Sequence, residues 1–570
     1  MAILPSKYPS VPIPSQSLWT YLFTARQLDP NLTAFIDAPT GRTLSRAQLR
    51  ALTLQVAYGV RNVLPQETRL SRGDTAMIFS PNSLAFPVVI LGLIANGSRA
   101  TLANSAYTSQ ELAHQYTDSR SSVVFAHPSL VDTARAMFKL VGVPDAEARK
   151  RLVVMDLDSQ GQDGIIGLGN LLAHGSLPSE ENFDGELAHE TVLLCYSSGT
   201  TGKPKGVETT HRNLVSVLAM IEPLAPVMYP GKDVMLAVLP YYHIYGVVKL
   251  LFYELLLGVA TAIMPKFNPE EFCQSIERYG VTVTFIVPPI VLALVHHPAV
   301  LKYNIKTLTY ISSGAAPIGP DMVTAAMKRL ASVGAFVDIG QGYGLTETSP
   351  VTHLVPRADA RRKVGTIGPL LPNLEARLVI AEREDGEALE DAAPGTPGEI
   401  WVRGPSVMKG YLNNSTATRN AITPSGWFKT GDIAIIDDEG FYTIVDRKKE
   451  LIKYKNVLLQ HPDIVDAAVI GIEDPSQATE LPRYYLASFM PISPSAYVVH
   501  RDGTQAAPST FPRDIQAWIE TRVAKHKFLR GGVVVIDVIP KSAAGKILRR
   551  ELRTRAAEEL KSEVKVKAKL

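Results

Sequence analysis

A chain of 570 residues, 46% hydrophobic and 20% charged, has the composition of an ordinary globular protein and the length for more than one domain. Its formal net charge of +3 provides no global field for nucleic acid or for an acidic partner. Two cysteines, Cys195 and Cys273, exclude a disulfide framework; both lie in apolar surroundings and read as core thiols in a reducing compartment.

The first residues, "MAILPSKYPSVPIPSQ", place prolines where a secretory leader needs an apolar core, so no leader is expected. Further on, "TVLLCY" (191–196) reads as a buried strand and "RNLVSVLAMI" (212–221) as a helix. Between them "YSSGTTGKPKG" (196–206) is built like an anion cradle. Glycines let backbone N–H groups bend around an oxyanion, hydroxyls add donors, and two lysines add charge. Strand, glycine loop and helix form the usual setting for phosphate. Ser197, Ser198, Gly199, Thr200, Thr201, Gly202, Lys203, Lys205 and Gly206 are therefore the candidate cradle. It is not a Walker A loop, because Pro204 stands where that motif needs Ser or Thr after its lysine.

The most apolar stretch, 235–264, is broken by Pro240, His243, Lys249 and Glu254, which a bilayer tolerates badly. It reads as buried strand and helix, with no membrane span. "VTVTFIV" (281–287), "TLTYIS" (307–312) and "AFVDIG" (335–340) alternate with helical patterns, which predicts parallel sheets covered on both faces. Three loops are expected after strand ends. In "SSGAAPIG" (312–319), Gly314, Ala315 and Ala316 would let a flat ring lie against backbone. In "QGYGLTETSP" (341–350), Gly342 and Gly344 flank the aromatic face of Tyr343, followed by the Thr346 hydroxyl and the Glu347 carboxylate. "GWFKTGD" (426–432) ends in Asp432, which could accept the two hydroxyls of a ribose. Polyphosphate, ring, sugar diol and a Mg²⁺ ligand together describe ATP.

From about residue 375, short alternating strands such as "GEIWVRG" and "GFYTIV" predict an antiparallel part. After Asp446 the chain turns basic, "DRKKELIKYK" (446–455), and continues as a small α+β set. That set comprises "DAAVIGI", "YYLASFMP", "DIQAWIETRVAKHK", "GGVVVID" and a helix from "GKILRRELRTR". The expected fold is α/β. A large N-terminal domain, 1–445, would combine stacked α/β sheets with a small antiparallel barrel-like part, and a smaller mobile α+β domain would span 446–570.

The cradle, "GYGLTE", "GWFKTGD", "DRKKELIK" and "PKSAAGKILRR" (540–550) together resemble, in order and spacing, the adenylate-forming superfamily of acyl-CoA synthetases. "LPYYHIYG", "MPKF", "VPPIVLAL" and "SSGAAPIG" make the chain most similar to 4-coumarate–CoA ligases. The resemblance covers nearly the whole chain. It implies an ATP-dependent ligase that joins a carboxylic acid to AMP and, after rotation of the small domain, passes it to CoA. It further implies Lys546 as the cation bridging carboxylate and α-phosphate, Thr346 on a phosphate oxygen and Glu347 on Mg²⁺. Asp432 would take the ribose, Tyr343 the adenine, and Arg447 and Lys449 the nucleotide. Lys266, Lys453 and Lys455 would contact CoA. His243 would stand where acyl group meets nucleotide, with Ile244, Tyr245, Pro350 and Val351 walling an acyl pocket for an aryl, arylpropenoyl or medium-chain acid.

One segment departs from the family. Relatives carry Lys-Gly after the aromatic residue of "IKYK" and then a Gln-Val-x-Pro-x-Glu-Leu-Glu block before "LLQHP". Here Asn456 replaces the glycine and about ten residues are missing near 456–460, enough for a hairpin arm and roughly two helical turns. In the family this block lines the pantetheine tunnel. The gap opens two alternatives: an adenylation-only or luciferase-like enzyme, or a non-catalytic nucleotide-binding relative. Because only 24 residues (570 − 546) follow Lys546, too few for a carrier domain, the expected acceptor is diffusible CoA. Ala568, Lys569 and Leu570 form a near variant of the Ser-Lys-Leu peroxisomal address. A peroxisomal import receptor is thus an expected partner, with the cytoplasm as the alternative location and a catabolic or secondary-metabolite pathway as the setting.

Overall fold

The computed structural model describes residues 3–197, 204–316, 318–383, 385–447, 458, 461–473, 492–505, 507–522, 529, 532–540, 552, 555–556 and 559. The chain divides into two compact units, Met1–Val445 and Asp446–Leu570.

The first unit holds two eight-stranded sheets. One runs in the order Gly410–Tyr411, Lys205–Thr210, Thr191–Ser197, Arg99–Ala103, Thr75–Phe79, Val123–Ala126, Leu152–Val154, Ile166–Gly167. Its strands Thr75–Phe79 and Val123–Ala126 pair in parallel and are buried at every position, as a sheet covered on both faces requires. The other runs Val351–Leu354, Asp338–Gly344, Tyr310–Ser313, Val283–Ile286, Val234–Ala237, Ala260–Ile263, Thr33–Asp37, Thr43–Ser45. From Asp338–Gly344 to Thr33–Asp37 every pairing is parallel, so their carboxyl ends share one edge. A single apolar core threads both sheets. It includes the helix Ala85–Ala95, which is buried all round, as expected of a helix with no polar face. A third, six-stranded sheet is antiparallel through Leu4–Pro5, Glu375–Glu382, Gly398–Arg403 and Phe428–Ile436. This is the antiparallel part expected from residue 375 onward.

The second unit contains a three-stranded sheet of Ile464–Glu473, Ile492–His500 and Val533–Val535. Helix Phe511–Glu520 buries Phe511, Ile515 and Ile519, one face at four-residue spacing, against Leu458, Ala467, Val498 and Val533. Among the described residues no helix is long and apolar enough to cross a membrane.

Three local expectations need correction. The cradle leads into a strand, Lys205–Thr210, and only then into the helix His211–Ile221. "QGYG" belongs to the strand Asp338–Gly344, and "FKTGD" to the strand Phe428–Ile436; neither is a loop. In each case polar or glycine residues masked a strand whose partners lie far away in sequence. Residues 484–491, named within the expected α+β set, lie outside the described residues, whereas Ile492–His500 is a strand that local pattern did not suggest.

Candidate active site

Strands Thr191–Ser197 and Lys205–Thr210 pair antiparallel, with Lys205 opposite Ser197 and Gly206 opposite Tyr196. Of the candidate cradle, Ser197, Lys205 and Gly206 thus lie on two paired antiparallel strands, a hairpin base. Ser198, Gly199, Thr200, Thr201, Gly202 and Lys203 lie outside the described residues. Helix His211–Ile221 starts one strand length, about 20 Å, farther on, and Thr210 and Asn213 close its first turn in a capping box. Its N-terminus therefore does not serve this loop. The hairpin base is gripped from three sides. Tyr196 donates its hydroxyl to Asp118 Oδ2 at 2.6 Å, His114 Nε2 lies 3.0 Å from the Pro204 carbonyl, and Leu412 N–H donates to Gly206 O at 2.8 Å. A Cβ on Gly206 would come within 3.1 Å of the Tyr196 ring, a tight contact that would make the ring shift by a few tenths of an ångström. Ser197 Oγ is buried and has no protein hydrogen-bond partner among the described residues.

Thr346 and Glu347 occupy a short 3₁₀ turn, Thr346–Thr348, directly after the strand Asp338–Gly344. Glu347 is buried, its Oε1 accepting the Tyr411 hydroxyl at 2.9 Å and its main-chain carbonyl accepting Met408 N–H at 2.9 Å. The same Tyr411 ring lies under Lys205 Nζ, 5.0 Å from the centroid. Cation, ring and carboxylate thus form one chain of contacts beside the hairpin. Burial, with the Glu347 carboxylate beside it, holds the Tyr411 phenol well above its ordinary range, so it remains a donor. Tyr411 was not among the sequence candidates; "GYLNN" has no local pattern that marks it.

Among the described residues no group of three His, Cys, Asp or Glu could hold a metal by itself. Mg²⁺ needs only one or two carboxylates when phosphate oxygens and water fill the rest of its octahedron. The single buried Glu347 carboxylate fits an ion that arrives with a polyphosphate.

The residues expected at adenine and ribose meet directly. Tyr343 donates its hydroxyl to Asp432 Oδ2 at 2.6 Å, and Asp432 is 2% exposed on the strand Phe428–Ile436. Behind Tyr343 stands its strand partner His353, fully buried, edge-on to Tyr343 at 5.7 Å and to Tyr442 at 4.5 Å. Burial pushes the His353 imidazole down to about 3, so it packs as a neutral ring. His353 was also missed, since a histidine inside an apolar strand reads as core. Gly342 lies on this strand too. The small-residue loop begins at Gly314, where a Cβ would come within 3.1 Å of the Tyr245 ring. Ala315 next to it takes a left-handed φ of +65°, a strained choice for a residue with a Cβ, and Ala316 follows partly exposed.

His243 caps the short helix Ile244–Val247, its Nδ1 accepting Tyr245 N–H at 3.2 Å. Deep burial among protein atoms lowers its pKa although its ring reaches solvent, the combination found in the wall of a cleft. With Nδ1 accepting, the neutral ring carries its proton on Nε2. Asn82 fixes the loop before it, donating to Leu239 O at 2.9 Å and accepting Tyr241 N–H at 2.7 Å. Ile244, Pro350 and Val351 are buried. Pro350 closes the turn above Gly344, its carbonyl accepting Leu345 N–H at 3.1 Å. Lys266 is exposed beyond the carboxyl end of Ala260–Ile263. Arg447 ends the strand Tyr442–Arg447, while its side chain, and Lys449, Lys453, Lys455, Lys546 and residues 568–570, lie outside the described residues.

Residues 22–412 match the family model described as AMP-binding enzyme. The chain is 34% identical to 4-coumarate–CoA ligase-like 4 of Oryza sativa subsp. japonica, over 97% of this chain and 96% of that protein. It is also 34% identical to 4-coumarate–CoA ligase 1 of Petroselinum crispum, over 97% of each. Among solved structures, ATP-bound MatB from Rhodopseudomonas palustris superposes with a TM-score of 0.64 at 26% identity, covering 95% of this chain and 98% of that one. The FadD1 long-chain-fatty-acid–CoA ligase of Archaeoglobus fulgidus shares the fold, with a TM-score of 0.70 at 24% identity, covering 94% of this chain and 100% of that one.

Proposed function

The chain belongs to the AMP-binding enzyme family and is an AMP-forming acid–CoA ligase, and from that premise we propose its substrate class and the role of each site residue. The acid is aryl, arylpropenoyl or medium-chain aliphatic. One of its carboxylate oxygens attacks the α-phosphorus of ATP. The new P–O bond forms as the bond to the bridging oxygen breaks, and pyrophosphate leaves with that electron pair. The CoA sulfur then attacks the acyl carbon, and AMP leaves as the C–O bond breaks. Hydroxide is a poor leaving group and AMP a good one, so one hard step becomes two easier ones.

The hairpin, with Ser197 and Lys205, holds the polyphosphate, and Thr346 donates to a phosphate oxygen. Glu347, oriented by Tyr411, would hold Mg²⁺, which when bound would supply charge neutralisation to the polyphosphate. Tyr343 and Asp432 hold the nucleoside, and Arg447 and Lys449 contact it. His243 presents Nε2–H where acyl group and nucleotide meet. Lys546 stabilises the charge that gathers between carboxylate and α-phosphate; a compact, mobile ammonium suits this better than a planar guanidinium. Lys266, Lys453 and Lys455 attract CoA phosphates. Residues 568–570 address the enzyme to peroxisomes through an import receptor.

The observation that carries this reading is the chain of contacts from Lys205 through Tyr411 to Glu347 beside the glycine hairpin. Pyrophosphate release from ATP and Mg²⁺ across a panel of carboxylic acids tests it. Release is expected with hydroxycinnamates, benzoates or medium-chain acids, and Lys546→Ala is expected to slow it roughly a hundredfold or more. Silence with every acid would overturn the function. An unchanged Lys546→Ala rate would overturn the role of that lysine alone.

A further inference from the structure

Two polar side chains outside the assigned site, His114 and Asp118, stand on one helix, Ser109–Ser119. That helix is anchored by its other flank. Leu112 and Tyr116 are buried in a separate apolar cluster, with Tyr116 edge-on to Phe138 at 5.2 Å. A capping box of Thr108 and Glu111 closes its first turn. The buried Gln115 donates to Thr101 Oγ1 at 2.8 Å, and Thr101 donates to the Leu194 carbonyl at 3.1 Å, which ties the helix to the strand Thr191–Ser197. The helix is therefore a fixed support beside the hairpin.

Residues four apart on a helix share a face about 5–6 Å apart, and paired strands lie about 4.8 Å apart. The spacing lets His114 and Asp118 take one arm of the hairpin each. On the outgoing arm, Asp118 accepts the Tyr196 hydroxyl at 2.6 Å, next to Ser197. On the returning arm, His114 Nε2 lies 3.0 Å from the Pro204 carbonyl, next to Lys205. A carbonyl only accepts, so the imidazole donates there from Nε2. The His114 and Tyr196 rings meet edge-on at 6.3 Å, which joins the two grips. The last turn of the helix reaches one strand farther, where Asn413, two residues beyond Tyr411, donates to the Asp118 carbonyl at 3.0 Å. Ser197 and Lys205 face each other in register, and their separation is thus set from outside the hairpin.

We propose that His114 and Asp118 are positioning residues for the polyphosphate of ATP, holding the two arms at the separation where Ser197 and Lys205 engage the phosphates together. This rests on the phosphate role given to the hairpin above. With the grips in place the hairpin is ordered before ATP arrives; without them, part of the binding energy of ATP is spent on ordering it. The effect falls on the phosphates that ATP carries and AMP lacks, and not on the acid.

The test uses the full-length protein and three variants. Tyr196→Phe keeps the ring and deletes the donor to Asp118. His114→Leu removes the donor to Pro204, and His114→Gln keeps an N–H near the same place. In acid-dependent pyrophosphate release, KM for ATP should rise roughly five- to tenfold in Tyr196→Phe and in His114→Leu. Their kcat should stay within about twofold and KM for the acid should not move. Calorimetry should show ATP binding weakened by the same factor and AMP binding as in the unmodified protein. His114→Gln should recover most of the lost ATP affinity. Equal losses for ATP and AMP, or a lower melting temperature with KM for ATP unchanged, would mark the helix as ordinary packing and overturn the proposal. Should His114→Leu fail to fold, Tyr196→Phe, which removes a single oxygen, carries the comparison alone. An unmodified protein that binds no ATP defeats the phosphate reading of the hairpin, and the proposal with it, before any variant is compared, so the two failures are distinct.

Discussion

Glu347 has to hold charge while buried, and a buried carboxylate is tolerated only when something donates to it. The donor in its surroundings is the Tyr411 hydroxyl at 2.9 Å, on a short edge strand that pairs with the hairpin. The same ring supports Lys205 from the other side, at 5.0 Å. Tyr411→Phe keeps the ring, and with it the contact to Lys205, while deleting only the donor. The expected results are a loss of about 1–2 kcal/mol of stability, a roughly tenfold fall in kcat/KM for ATP and a higher Mg²⁺ concentration for half-maximal rate. Melting curves and a Mg²⁺ titration of pyrophosphate release check this. A purely structural hydroxyl would lower the melting temperature and leave the Mg²⁺ requirement where it was. Neither Tyr411 nor Asn82 was legible beforehand, because each acts on a residue far away in sequence.

At the scale of elements, apolar runs were readable and polar strands were not. Val283–Ile286 and Tyr310–Ser313 are buried throughout, so the continuous apolar signal of a doubly covered strand was present in the sequence. "KGVETT" has no such signal, since its pairing depends on Thr191–Ser197 and on the distant Gly410–Tyr411. Residues that separate motifs name do meet in the structure, Tyr343 with Asp432, but strand pairing, not local composition, decides that both stand on strands. The strand Asp338–Gly344 ends in a register shift between Tyr343 and Gly344, and there the chain turns to present Thr346 and Glu347. A Cβ on Gly344 would stand 1.8 Å from the Pro350 carbonyl, so Gly344→Ala must push that turn away. The expected cost is about 1–3 kcal/mol of stability, with kcat falling at least roughly a hundredfold. Gly319→Ala is the control: nothing lies within 4 Å of its Cβ, and activity should be unchanged. A Gly344→Ala enzyme with ordinary kcat would show that the turn is not what holds Glu347 in place.

For the molecule as a whole, the two half-reactions need not survive equally. Apart from Arg447, the residues assigned to adenylation that the structure describes lie in the unit Met1–Val445, and the contacts described above for Glu347, Tyr411, Tyr343 and Asp432 fall within it. The second unit has a core of its own around Val469, Val498 and Ile515. Its sequence passes from "KYKN" directly to "VLLQHP", where the resemblance leads us to expect a further block along the pantetheine path. A missing wall there would leave acyl-adenylate formation intact and slow the attack of the thiol. We therefore expect ATP–pyrophosphate exchange at rates ordinary for such ligases, with acyl-CoA forming roughly tenfold or more slowly and AMP-bound acid accumulating on the enzyme. Quenched-flow measurement of both products from one mixture distinguishes the steps. Inserting the Gln-Val-x-Pro-x-Glu-Leu-Glu block after Lys455 should raise thioester formation and leave exchange unchanged. If the unmodified chain already makes acyl-CoA as fast as it exchanges pyrophosphate, the missing block has no part in the thiol step. The wall of that path must then be supplied by other residues of the chain.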